Sequence, residues 1–280
     1  VACFWSGLVN VECSEPVVVP NLYALWDLSS AIYTGKSFAT TKAVEGLWFR
    51  NDGETLITMD ENLSSLHQFT LSTAWDISTA SDDLISYSLA SNAGYCQGMC
   101  ISPDGFHLYA ASDDFNKLFQ YDFGVAFDIS TLSYSGNSVT IPTTYIEEPD
   151  FNPDGSGFVI WSVQPDGVLM QFSLSTPWDL STAAYINEGT PNLTYFHPYS
   201  NRTNQNGLQY VALTDNVGVM HLENLNPAFD AATNSGEIET FNYSAQDNSV
   251  FGQYFKDDAT GFYLSGSDTN KIYQYSMTPA

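Results

Sequence analysis

Apolar and polar positions alternate with a period of two in short runs along this chain, as in Leu118-Phe119-Gln120-Tyr121 and Leu169-Met170-Gln171-Phe172. Runs of this length and period predict half-buried β-strands, and the 3.6-residue period of an amphipathic helix is absent throughout. The runs come in sets of four. An apolar strand such as Gly46 to Phe49 enters an Asp-Gly turn, Arg50-Asn51-Asp52-Gly53. Glycine accepts the positive φ that a tight hairpin requires there. A second strand follows (Thr55 to Met59, or His107 to Ala111), then a Gln-centred third, then a more polar fourth such as Leu84 to Leu89.

The set repeats. Trp-Asp-hydrophobic-Ser-Ser/Thr occurs at Trp26-Asp27-Leu28, Trp75-Asp76-Ile77, Phe127-Asp128-Ile129 and Trp178-Asp179-Leu180, and decays to Phe229-Asp230-Ala231. Successive Asp positions are 49, 52, 51 and 51 residues apart. The strand before each motif carries a second phrase: His67-Gln68-Phe69, Phe119-Gln120-Tyr121, Met170-Gln171-Phe172, Met220-His221-Leu222 and Tyr273-Gln274-Tyr275. A third phrase is the turn, repeated at Ser102-Pro103-Asp104-Gly105 and Asn152-Pro153-Asp154-Gly155, with weaker versions at His197-Pro198-Tyr199-Ser200 and Lys256-Asp257-Asp258. On this alignment repeat four loses its Asp-Gly turn and gains an insertion, Asn201 to Gly207.

Four strands in about 40–50 residues is the size of a β-propeller blade. The last repeat stops after its third strand, at Pro279-Ala280, while an unpaired fourth-strand pattern, Ala31 to Phe38, precedes the first full repeat. If that N-terminal strand completes the last blade, five four-stranded blades close into a ring with no open sheet edge at the junction. The predicted fold is therefore an all-β five-bladed propeller over 29–280, preceded by an extension over 1–28. That extension is apolar at Cys3-Phe4-Trp5, Leu8 to Val11 and Val17 to Val19, so it either packs on the propeller or docks on a neighbouring subunit.

Composition narrows the partners. With 7 basic and 32 acidic residues the chain carries a net charge of -25, which repels nucleic-acid phosphates and anionic membrane surfaces. No apolar run reaches the ~18 residues of a membrane helix, so no membrane insertion is expected. Cys3 and Cys13 could close a small disulfide loop in an oxidising compartment. Cys96 and Cys100, four apart in a strand, are too distant to bridge and read as buried apolar residues.

The cadence Leu174-Ser175-Thr176-Pro177-Trp178-Asp179-Leu180-Ser181-Thr182-Ala183, with Ser102-Pro103-Asp104-Gly105, Leu108-Tyr109-Ala110 and Leu118-Phe119-Gln120-Tyr121, covers residues 21–280 in its variants. It resembles the repeats of β-propellers found in virion and tail-associated proteins of marine bacteriophages and in secreted bacterial surface proteins. The resemblance implies a non-catalytic propeller, extracellular or on a virion surface, used for structural assembly, adhesion or glycan binding. Its implied partners are itself, other virion or surface proteins, and cell-surface glycans. A self-assembling extracellular fibre subunit, linked through the N-terminal segment, is a second expectation.

A glycoside hydrolase is the third. Such an enzyme needs two carboxylates about 5–10 Å apart. Aligning the innermost strands on Phe49, Ile101, Phe151, Phe196 and Phe255 puts Glu45, Gln97, Glu147, Asn192 and Phe251 four residues earlier. Glu45, Gln97, Glu147 and Asn192 thus form a predicted polar ring around the channel, where Glu45 with Glu147 or Asp150 would be the acid and base. Channel walls also take polar residues simply because they are hydrated. No motif for a nucleophile, phosphate or zinc is present. Asp82-Asp83, Asp113-Asp114 and Asp257-Asp258 offer hard oxygens of the kind Ca²⁺ takes, so a structural Ca²⁺ is the one cofactor the sequence allows; solvated acidic loops are the competing reading. Sequons at Asn62, Asn192, Asn201 and Asn242 mark possible glycan acceptors, with Asn201 in the insertion the most exposed on this alignment. Asn192 cannot both line the channel and carry a glycan. Trp26, Trp75 and Trp178 could stack on sugars or pack between blades.

Overall fold

The Asp-Gly turn and the Trp-Asp motif, twenty-odd residues apart in each repeat, meet in space as a single unit. In a computed structural model describing residues 25–60, 63–164, 167–189, 198–214, 218–225, 228–230, 232 and 234–280, Gly53 has φ +75° and lies under the ring of Trp75. A Cβ added at Gly53 would sit 2.3 Å from that ring, so glycine is required there both by φ and by space. The Trp75 N–H donates to the Gly53 carbonyl (2.9 Å), and the same pairing recurs at Phe127–Gly105, Trp178–Gly155 and Phe229–Gly207. Each of these aromatic residues is itself at positive φ, 57° to 64°. Such a conformation costs roughly 1–2 kcal/mol in a bulky residue, which ring burial and the fixed hydrogen bond offset.

The next residues of the motif cap a 3₁₀ turn. The Asp76 carboxylate accepts from Ser78 N (3.2 Å) and Oγ (2.6 Å), and Asp128 and Asp179 repeat this with Ser130 and Ser181. The hydrophobic residue that follows Asp is pegged to the preceding blade by the conserved-phase glutamine of the third strand. Ile129 N donates to Gln68 Oε1 (3.2 Å), Leu180 N to Gln120 Oε1 (2.9 Å), and Ile77 N to Gln274 Oε1 (3.0 Å). Two of the three repeated phrases are thus the two halves of one inter-blade hydrogen bond.

The described residues form twenty strands. β1 (Ile32–Ala39) is followed by β2 (Val44–Phe49), β3 (Thr55–Asp60), β4 (Ser65–Leu71) and β5 (Ala80–Ser88) of blade one. Blade two has β6 (Cys96–Ile101), β7 (His107–Ser112), β8 (Lys117–Phe123) and β9 (Leu132–Thr140). Blade three has β10 (Thr144–Phe151), β11 (Gly157–Gln164), β12 (Val168–Leu174) and β13 (Ala183–Gly189). Blade four has β14 (Pro198–Thr203), β15 (Gln209–Thr214), β16 (Val219–Leu225) and β17 (Asn234–Asn242), and blade five β18 (Val250–Phe255), β19 (Gly261–Gly266) and β20 (Lys271–Ser276). All pairings within blades are antiparallel. β1 pairs with β20, Ile32 opposite Ser276 and Ala39 opposite Lys271, so the N-terminal strand completes blade five as expected. The innermost strands β2, β6, β10, β14 and β18 touch in that order and β18 returns to β2, closing the ring. One four-residue helical turn, Ala90–Ala93, was not anticipated.

Two expectations need correction. The boundary at residue 28 cuts a motif that belongs to blade five: Trp26 and Leu28 are buried, and the Trp26 ring leans on Phe255 at 4.3 Å. Trp26 N and O also bond the Gln209 side chain, at 2.6 and 3.1 Å. Blade four is the second case. His197 lies outside the described residues, but Pro198–Thr203 is a strand, and the turn is Asn204 to Gly207, with Gly207 at φ +68° beneath Phe229. The supposed insertion is strand plus turn, in the ordinary register.

Candidate functional site

Every innermost strand carries one β-bulge at the same level. The register slips between Val44 and Gly46, Cys96 and Gly98, Ile146 and Pro149, Pro198 and Ser200, and Val250 and Gly252. A bulge inserts one unpaired residue and re-aims its side chain. The re-aimed positions are Glu45, Gln97, Glu147, Tyr199 and Phe251. At this level Tyr199, paired edge-on with Phe251 at 4.7 Å, stands where the alignment put Asn192. Asn192, Asn62, Cys3 and Cys13 lie outside the described residues.

Glu45 and Gln97 are joined by Tyr95, whose hydroxyl contacts Glu45 Oε1 (3.0 Å) and Gln97 Oε1 (3.3 Å). Tyr95 sits just ahead of β6 and had no repeat signal to reveal it. Gln97 Nε2 reaches Asp113 (3.4 Å), which also accepts from Ile146 N (3.0 Å). Glu147 is 3% exposed, and burial, reinforced by the charges of Glu45, Asp113 and Glu148, holds its carboxyl well above the usual carboxylate range.

Below this ring the strands crowd together. A Cβ on Gly98 would lie 2.4 Å from the Glu148 Cα, and one on Gly252 would lie 2.6 Å from the Glu45 carbonyl. Counting from the strand ends, Glu148 occupies the level of Gly46, Gly98, Ser200 and Gly252. Its carboxyl accepts from the Ser200 hydroxyl, and burial pushes its pKa up to about 8. Asp150 accepts from Thr203 N (2.6 Å) and the Thr203 hydroxyl, with Arg202 Nε 3.7 Å away. Burial raises the Asp150 pKa, opposed by Arg202 and Thr203. Burial also works against the Arg202 charge, but Asp150 and the neighbouring acidic groups more than restore it.

The remaining candidates separate. Asn201 is fully buried in β14, so the glycan expected there has no room; its place in the strand, not in a loop, is the reason. Asn242 is exposed, with its side chain accepting from Ser244 N (3.0 Å) and Oγ (2.7 Å). Trp75 and Trp178 lie over their turn glycines and Trp26 against Phe255, so all three serve blade packing. The acidic pairs are engaged by the protein's own donors: Asp83 by Gln68 (3.2 Å) and Thr70 (3.1 Å), Asp114 by Tyr95 N (2.9 Å), Asp257 by Gln205 (2.7 Å). Among the described residues no three His, Cys, Asp or Glu side chains group as a metal site. Cys96 and Cys100 are buried free thiols, and burial pushes Cys96 up to about 12.

No family model matches the chain, and no curated protein matches it in sequence. Solved structures share its fold. A functionally unknown protein from Desulfotomaculum acetoxidans aligns over 82% of this chain and 67% of its own length, at 15% identity and a TM-score of 0.50. A Bacteroides uniformis protein described as a candidate 6-phosphogluconolactonase aligns over 70% of this chain and 57% of its own, at 14% identity and a TM-score of 0.48. At these identities the likeness is one of fold.

Proposed function

We propose that this chain is a non-catalytic propeller working as a binding or assembly module, outside the cell or on a virion surface. The observation that carries this reading is that the repeated phrases are spent on holding neighbouring blades together, the turn carbonyl on the motif aromatic and the third-strand glutamine on the next blade. Neighbouring inner strands pack backbone to backbone, a Cβ at Gly98 lying 2.4 Å from the Glu148 Cα, so no ligand enters between them. The recess at the turn end, beneath Trp48 and Arg202, holds about 40 Å³, whereas small-molecule pockets run to several hundred. The chain's surface carries the excess of acid, and the repeat cadence resembles virion and secreted surface propellers. Adhesion, glycan recognition and assembly with itself or other surface proteins all use such an outer face. Electron microscopy of natively purified material tests the reading: regular contact with itself or a capsid is expected for assembly, and binding on a glycan array for adhesion. Monomeric particles that bind no glycan and no surface protein would overturn it.

A glycoside hydrolase remains a second reading because Glu45 and Glu147 stand close enough for one charge to raise the other's pKa. Turnover on a polysaccharide panel, abolished by Glu147→Gln, would replace the first reading with this one.

A further inference from the structure

The level of the inner strands one residue before their ends reads Trp48, Cys100, Asp150, Arg202 and Tyr254, and only blade four supplies a cation there. The chain has two arginines. Arg50 is half-buried and paired with Asp52 (2.6 Å), whereas Arg202 is 9% exposed at the bottom of the axial recess. Its guanidinium lies 4.2 Å from the Trp48 ring centroid and 5.5 Å from that of Tyr254. Stacking of this kind fixes the plane of the guanidinium and leaves its N–H edge to be used. Among the described residues that edge meets one acid, Asp150, through Nε at 3.7 Å, too long for a hydrogen bond.

Trp48 lines the same recess. Trp48 Nε1 is buried and has no acceptor among the described residues. Among the nearby acceptors, Asp150 Oδ2 takes the Thr203 amide (2.6 Å) and hydroxyl while Oδ1 is the atom 3.7 Å from Arg202 Nε, and Asp257 Oδ1 takes Gln205 Nε2 (2.7 Å). A recess of about 40 Å³ has room for about three waters, or the three heavy atoms of a carboxylate. Apolar and amide groups of Asn51, Pro103, Pro153 and Gln205 surround its mouth.

We propose that this axial recess is a binding site for a single carboxylate group, held by the Arg202 N–H edge and the Trp48 indole N–H. A carboxylate matches the guanidinium fork and supplies the acceptor that both donors lack. The group can belong to a small organic acid or to an acidic residue of a partner polypeptide; the chemistry is shared. This inference is independent of the virion or surface reading, since it concerns the turn end of the channel whatever the outer face does.

The test is thermal unfolding of the full chain with increasing sodium formate or acetate, against sodium chloride at equal ionic strength, and separately with a short peptide bearing one Asp side chain and blocked termini. A saturable rise in Tm with the carboxylates, absent with chloride, is expected. Trp48→Phe keeps the stacking ring and removes the donor, so it should weaken binding several-fold; Arg202→Lys, which loses the fork, should weaken it by about tenfold or more. Saturation by the small acids and not the peptide assigns a small-molecule site, and saturation by the peptide a docking site for a partner. No saturable shift, an equal response to chloride, or undiminished binding in folded Trp48→Phe protein would overturn the proposal and leave a recess filled by water.

Discussion

The seam between blades two and three and the seam between blades three and four are built from equivalent positions and opposite chemistry. At the first, Phe151 stacks on Tyr109 (4.1 Å) and on Trp178 (5.5 Å), and the Tyr109 hydroxyl donates to the Trp178 carbonyl (2.5 Å). The seam between blades five and one repeats this with Phe49, Tyr263 and Trp75. At the seam between three and four, Thr203 stands where those seams have phenylalanine and Val159 where they have tyrosine. Buried Glu148, Asp150, Ser200 and Arg202 fill the space. The continuous apolar core that links blades one to three stops here, and a small separate cluster around Trp161 and Tyr210 takes over. Aromatic seams are stabilised by area removed from water, whereas a buried ionic seam roughly breaks even and depends on each member being satisfied. One ring therefore contains seams that should answer differently to pH and to substitution.

The comparison breaks most sharply at Phe151. Phe151→Ala removes the centre of an aromatic stack and should cost about 3–5 kcal/mol, read from the urea unfolding midpoint. The effect should be nearly constant between pH 5 and 9, because no ionisable group depends on that ring.

Glu148 sharpens the other side. Its folded pKa, about 8, lies above the ordinary value of 4.5, so between these the folded state holds a proton that the unfolded chain has released. Stability must then fall as pH rises from about 4.5 to about 8 and level off above. Glu147 and Asp150, also raised by burial, contribute with the same sign. Glu148→Gln removes one such group without changing size, and should gain on wild type by an amount on the order of 5 kcal/mol across that window. A pH-independent difference would mean that the Glu148 carboxyl is solvated in the folded protein.

Thr203→Val deletes one of two hydrogen bonds to Asp150 and should cost about 1–3 kcal/mol, the penalty for an under-satisfied buried acid. Combined with Asp150→Asn, the loss should be less than additive. The smallest effect belongs to the glutamine bond that recurs at three of the seams. Gln120→Ala frees the Leu180 amide and should cost about 1 kcal/mol, with the far-UV spectrum unchanged.

The fold was legible because each repeated phrase has a local physical reason. The turn needs Gly for its φ, the Asp caps its own following turn, and the period-2 runs bury one face. Blade four was misread because its turn, Asn204 to Gly207, carries neither Pro nor Asp. A spacing could have recovered it: Gly53 to Trp75, Gly105 to Phe127 and Gly207 to Phe229 are each 22 residues apart. With that register the ring reads Tyr199 instead of Asn192, and Asn201 becomes a strand residue. The bulges that turn Glu45 and Glu147 out of the ladder left no mark in the sequence pattern.

Alone, the sequence determined the number of blades, the strands of each and the closure by β1, since these follow from contacts that recur at fixed separation along the chain. Tertiary structure decided which side chains meet across the axis. Arg202 finds Trp48 from blade one and Tyr254 from blade five, equivalent positions of the repeat whose side chains meet only because the closed ring brings five inner strands to one axis. Burial then sets their chemistry: the same Glu that would be an ordinary surface acid in a fourth strand holds its proton to about pH 8 at Glu148.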